Sequence, residues 1–319
     1  MRRRTLLGLS LGLAAATIVG TESAARAKGR DARVVAVTAN AGGVTLELAP
    51  KAAPYPDPAG SAAYDDPTVL VFVPSYYRLP KAKKIDFVVH FHGHMTTAKD
   101  AIANHRLREQ LAESRQNAVL VVPQGPVRAA DGDFGKVMRP RGLAKLLDEV
   151  CSLLVASKND LGDAVVSGAK ESGRVIVSGH SGGYRAAAAI AKQKGIDLRE
   201  LYLFDALYGE VATFRDWVVA APERHKLVCL AIGGTPRTLS AELANELRAK
   251  GVTVASELGG ERLSRADLIR GRAVFLEGHG VHATAAVDEA PLRDCLHASC
   301  LKRRGSREWL DDRDATRAT

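Results

Sequence analysis

Between Val175 and Ala191 the chain reads VIVSGHSGGYRAAAAIA, an apolar run that ends in glycines around a single serine and then becomes an alanine-rich helix. Gly179-His180-Ser181-Gly182-Gly183 fits the pattern G-x-S-x-G with a strand before it and a helix after it, the context in which such a turn holds a nucleophile. The glycines have a steric reason. A serine at a sharp strand-to-helix turn has a strained backbone, and side chains two residues away on either side would collide, so Gly179 and Gly183 carry none. The following helix aims its positive end and its free N–H groups at the hydroxyl, which makes the Gly182 N–H an expected oxyanion donor.

A serine needs a base to take its proton, and the base needs an acid to fix its tautomer. The run RAVFLEG delivers HGVHAT, which offers His279 and His282. His282 is preferred because it lies farther into the loop, where its ring can swing back to Ser181, and His279 is the reserve. For the acid, KLVCLAIGGTP ends in Gly233-Gly234-Thr235 without a carboxylate, whereas LYLFDALYG sets Asp205 directly after an apolar run one strand earlier. Asp205 is therefore the expected acid, and Glu210 and Asp216 rank behind it because they fall in a helical stretch. The loop HFHGHM supplies the second expected oxyanion donor, the His94 N–H, with Gly93 letting the backbone turn inward.

His90, His92 and His94 also alternate along one strand, so a zinc hydrolase is an alternative reading. Neither the nearby Asp such sites usually add nor an H-x-x-E-H or C-x-x-C spacing accompanies them. The expectation is His90 in the core, His92-Gly93 in a structural turn, and no metal or organic cofactor.

Positioning these groups takes alternating elements. RVVAVTAN and VTLELAP read as a hairpin around Asn40–Gly43. Strands then follow at TVLVFVP, IDFVVHFHG, AVLVVPQG, RVIVSG, ELYLFDALYG, KLVCLAIGG and RAVFLEG. Helices are expected over 97–115, 141–157, 184–193, 213–220, 241–250 and 291–302, from apolar residues at helical spacing. Short strands alternating with helices predict an α/β architecture, a mostly parallel central sheet with helices on both faces. With its elbow Gly179–Gly183, HFHG loop, Asp205 and His279/His282 segment, the chain resembles the α/β-hydrolase superfamily over roughly residues 68–302. The resemblance implies a serine hydrolase of esterase or lipase type, with the acid placed one strand early as in some lipases of this fold.

The ends and the composition add bounds. Of 319 residues 25% are charged, enough chain for a substantial core, and residues 28–319 read as one domain. Residues 1–27 combine a basic head (Arg2, Arg3, Arg4), an apolar run too short to span a bilayer and Ala25-Arg26-Ala27. They read as an export signal whose head resembles a twin-arginine signal, with a general secretory signal as the alternative, and predict a periplasmic or secreted protein without stable membrane insertion. Losing Arg2, Arg3, Arg4, Arg26 and Glu22 takes the formal charge from +9 to +6, scattered and without a nucleic-acid motif. Cys151, Cys229, Cys295 and Cys300 show no zinc spacing, and their pairing is left open.

The expected substrate is a small-molecule ester or amide. An esterase comes first. An amidase or peptidase and an acyltransferase would use the same residues, and a non-catalytic binding protein on this fold is a further alternative. No long apolar insertion suggests a lid, which favours soluble esters over oil droplets. The stretch 122–142, with Gln124, Arg128, Asp133 and Lys136, reads as a surface loop first and as the lining of a substrate mouth second.

Overall fold

The computed structural model describes residues 32–305 other than 41, 131 and 163. The expected export signal lies outside the described residues, as does Ala41 of the hairpin turn. One mixed sheet of ten strands runs through the described chain. The strands are β1 (Arg33–Asn40), β2 (Gly43–Ala49), β3 (Val69–Pro74), β4 (Lys84–Phe91), β5 (Val119–Pro123), β6 (Glu171–His180), β7 (Asp197–Phe204), β8 (Lys226–Ala231), β9 (Val254–Ser256) and β10 (Ala273–Glu277). Their order across the sheet is β1-β2-β3-β5-β4-β6-β7-β8-β10-β9.

The first three strands form an antiparallel meander, and β3 lies antiparallel to β5. From β5 to β9 every neighbour is parallel. The mostly parallel order, with the chain crossing from β5 over to β6 and the glycine turn after β6, is the α/β-hydrolase fold. Apart from its first residue β4 is buried throughout, because helices cover both faces. Each fully buried Val or Phe of such a strand contributes about 1.5–3 kcal/mol.

On one face pack α3 (Gly142–Ala156), α4 (Tyr184–Ala191), α5 (Val211–Ala220) and α6 (Gly234–Ala249), through Leu143, Leu147, Ala187, Phe214 and Leu243. On the other pack α1 (Ala98–Asn104), α2 (Leu107–Ser114), α7 (Arg265–Arg270) and α8 (Pro291–His297), through Ile102, Leu111, Leu268 and Leu296. The structure departs from the sequence expectation in several places, among them the last helix, which ends at His297 rather than 302. The helix expected over 97–115 is broken, because Arg106 takes a left-handed backbone, φ 49°, between α1 and α2. The Gly233-Gly234 pair read as a strand end opens α6 instead, so that helix starts seven residues early. The three-residue β9 and the short α7 were not expected.

Candidate active site

The turn after β6 is as tight as its glycines suggested. Ser181 has φ 52°, a left-handed backbone that costs a non-glycine residue of the order of 1 kcal/mol or more. A Cβ on Gly179 would come within 3.0 Å of the Gly183 backbone, and one on Gly183 within 2.4 Å of the Phe91 carbonyl. Both partners are main chain, Gly183 in the turn itself and Phe91 at the end of β4, so neither can move aside as a flexible side chain would. Ala186, Ala187 and Ala188 extend the same logic along α4, where small buried side chains let the helix approach the strands closely.

The structure brings three of the expected residues into one hydrogen-bonded line. Ser181 Oγ lies 2.9 Å from His282 Nε2, and His282 Nδ1 lies 2.6 Å from Asp205 Oδ2. With Nδ1–H donating to the carboxylate, Nε2 is left to accept the serine proton. Asp205 is buried at the exit of β7, itself in a left-handed backbone with φ 44°. Its other oxygen, Oδ1, accepts the Ile232 N–H at 3.0 Å just beyond β8, and its own N–H donates to the Leu230 carbonyl. The acid thus starts one strand early and reaches the strand end where a carboxylate is absent. His279 makes none of these contacts. It is exposed and borders a small recess with Glu277, Asp288 and Glu289.

Around the serine, Gly93 packs so closely that a Cβ there would stand 2.8 Å from Ser181 Cβ. Gly182 lies in the short 3-10 turn Ser181–Gly183 at the head of α4, and the His94 amide has no acceptor among the described residues. The zinc constellation is not assembled. His92 uses both ring nitrogens, Nε2 accepting the Gly125 N–H at 2.8 Å and Nδ1–H donating to the Gly93 carbonyl at 2.9 Å. His90 is buried with Nδ1 2.9 Å from Ser178 Oγ, while His94 is exposed. No group of three or more metal-binding side chains stands together among the described residues. All four cysteines are free, three of them buried.

Of the two readings given for residues 122–142, the second is nearer to what the structure shows for part of the stretch. The stretch carrying Val127 and Ala130 lies across the elbow, with the Met95 N–H donating to the Val127 carbonyl and the Ala130 carbonyl 2.5 Å from where a Gly182 Cβ would be. Gln124, suggested for the substrate mouth, is instead buried and accepts the Ala98 N–H. The Tyr208 hydroxyl stands 3.4 Å from His282 Nδ1. Only its place three residues after Asp205 could have hinted at that.

Beneath the site three buried histidines lead up to His282: His90 against His105, His105 against His180, and His180 against His282. Burial is the main cause of lowered basicity in each of the first three. It acts on His92 as well, pushing it down to about 4, and pushes His105 down to about 3. An unfolded histidine titrates near 6.5, so between that value and the folded one the unfolded chain holds protons that the folded chain does not. Stability is then full above about pH 6.5 and falls as pH drops, by about 1.4 kcal/mol per pH unit for each such histidine. Urea titrations should find the protein about 4 kcal/mol less stable at pH 5 than at pH 7.5 from His92 and His105 together. His105→Gln should flatten that slope by one histidine's share. A flat profile over the interval contradicts neutral burial.

No protein-family model matches the chain, and no curated protein matches it. Among solved structures it is similar to a ferulic acid esterase, with 12% identity over 73% of this chain and 93% of that one and a TM-score of 0.46. It is also similar to an S-formylglutathione hydrolase from Agrobacterium tumefaciens, with 13% identity, 82% and 98% coverage and a TM-score of 0.43. A third similarity is to the fluorophosphonate-binding serine hydrolase F of Staphylococcus aureus, at 12% identity, 72% and 91% coverage and a TM-score of 0.41.

Proposed function

We propose that the protein is an exported serine hydrolase that cleaves carboxylic esters through an acyl-enzyme on Ser181. The observation that carries this reading is the continuous line from Ser181 Oγ through both nitrogens of His282 to Asp205. In the acylation step Ser181 Oγ attacks the ester carbonyl carbon as His282 Nε2 takes its proton. The imidazolium that forms is held by the Asp205 carboxylate. The amides of Gly182 and His94 receive the oxyanion, and each such donor is worth about 10²–10³ in rate. His282 then protonates the departing alcohol. In the second half it deprotonates a water, which releases the acid and restores Ser181.

The surroundings support an ester with an apolar portion. Met95, Tyr208 and Val281 are 66%, 41% and 62% exposed, and they sit on the loops that carry His94, Asp205 and His282. Large apolar side chains exposed together beside a nucleophile offer a seat for an acyl or aryl group. Export rests on residues 1–27, whose twin-arginine-like head and cleavage pattern direct the remainder to the periplasm or the medium.

Intact mass after treatment with a fluorophosphonate provides the test. One adduct is expected per folded molecule, and none on Ser181→Ala. Folded wild-type protein that takes up no adduct would sink the reading.

A further inference from the structure

His180 fills the variable position of the elbow and is the last residue of β6, only 6% exposed. Its Nε2–H donates to the main-chain carbonyl of His282 at 2.8 Å, and the two rings lie against each other with centroids 4.9 Å apart and planes 30° from parallel. Apart from the contacts of the His282 ring, the segment it grips is tied within its own turn, where the Val281 N–H also donates to Thr284 Oγ1 at 3.4 Å. Gly280, Val281, His282 and Ala283 are exposed, and the main-chain ties of the turn are the Thr284 N–H to the Val281 carbonyl at 2.9 Å and the Ala285 N–H to the His282 carbonyl at 3.3 Å. We propose that His180 is the positioning residue of the catalytic base, fixing the backbone and ring plane of His282 from beneath through the bond from its Nε2–H to the His282 carbonyl.

The bonds from the His282 ring to Ser181 and Asp205 set its tautomer, and the Thr284 and Ala285 N–H groups tie its turn only to itself, so the turn as a unit can still rock about the line joining Ser181 and Asp205. The bond from His180 to the carbonyl ties the turn to the sheet and removes that freedom. It comes from the residue bonded directly to the nucleophile, so the distance between serine and base is set within one rigid strand end. His180 is itself fixed. The His105 ring meets it edge-on, with centroids 4.9 Å apart at 77°, and His105 is carried at the break between α1 and α2. Behind His105 stands His90, whose Nδ1 is 2.9 Å from Ser178 on the same strand as His180. Gly93 clears the other side, where a Cβ would stand 3.3 Å from His180 Nδ1. The helix break that the sequence did not announce thus places a ring in this file.

Charge fits the role. The groups bearing on His180 are His282, Asp205, His105, His92 and His90, and burial lowers the basicity of His180. A neutral donor stacked on His282 holds it without placing a second cation beside the imidazolium formed during turnover.

This inference rests on the serine-hydrolase reading, and two variants with two readouts separate them. His180→Phe keeps a ring without the donor, and His180→Gln keeps a donor near the Nε2 position without the ring. Turnover of a soluble aryl ester should show kcat lowered about 30-fold in His180→Phe at nearly unchanged KM, with His180→Gln restored to within about fivefold of wild type. The second readout is the low-field proton resonance of His282 Nδ1–H, expected in wild type and His180→Gln and lost in His180→Phe. If the phenyl ring does not fit, His180→Met removes the donor instead. A donor-free variant as fast as wild type overturns the proposal, and so does an equal loss in both variants. Should wild-type protein hydrolyse no ester, the resonance alone decides, and its selective loss in the donor-free variant upholds positioning while the serine-hydrolase reading falls.

Discussion

Ser181→Gly and Ser181→Ala are both expected to lose ester turnover by about 10⁴-fold or more, yet the glycine variant should be the more stable of the two. Both remove the hydroxyl and its bond to His282 Nε2, so the chemical loss and the lost hydrogen bond are common to them. They differ in what they do with a backbone at φ 52°. Alanine keeps the Cβ that a left-handed conformation crowds, at a cost of about 1–2 kcal/mol, whereas glycine adopts it freely. Glycine's looser unfolded chain returns about 0.4–1 kcal/mol of that advantage. About 1 kcal/mol in favour of glycine is left, roughly 2 °C in Tm for a chain this long. Calorimetry on the two variants measures the strain stored at position 181. An alanine variant at least as stable as the glycine one would mean that the elbow stores none.

How far the sequence announces this site depends on the range of the forces involved. Gly179, Ser181 and Gly183 are legible because their constraint is local, five residues forced through one turn between strand and helix. Asp205 is legible for a related reason, since a carboxylate that ends an apolar run must find partners. The partner it found, the Ile232 N–H, belongs to the next strand and could not be named. The preference for His282 over His279 rested on position in the loop. Both histidines leave the same strand, and the separation between them is made by a turn whose shape comes from tertiary contacts. His180 and His105 were silent. Nothing in the letters around Arg106 signals a left-handed residue, so the helix was read straight through the break that carries His105. The architecture was clearer than the site because alternating apolar runs report burial on both faces directly. The exceptions are β9 and α7, too short for any periodicity to register.

Asp205→Asn is the substitution that isolates orientation from attack, and it should lower kcat by about 10³–10⁴ with the fold intact. The two oxygens of Asp205 do different work. Oδ1 accepts the Ile232 N–H and Oδ2 accepts His282 Nδ1–H. An asparagine has one oxygen and one NH₂ group to meet two donors. Turning its oxygen to His282 would leave the NH₂ facing the half-buried Ile232 N–H, a mismatch costing about 1 kcal/mol or more. The favoured arrangement therefore keeps the oxygen on Ile232 and sets the NH₂ group against Nδ1. Histidine answers by moving its proton to Nε2, the nitrogen that must accept from Ser181. The ring is then in place with the wrong face to the serine. Steady-state kinetics on a soluble ester should show the fall mainly in kcat, and fluorophosphonate labelling of Ser181 should slow in parallel while Tm changes little. Labelling and turnover within tenfold of wild type would remove Asp205 from the line and reopen the choice among carboxylates near His282. A large loss with Tm preserved would show that the acid acts by holding one tautomer, since asparagine leaves the position filled and the Ile232 bond made.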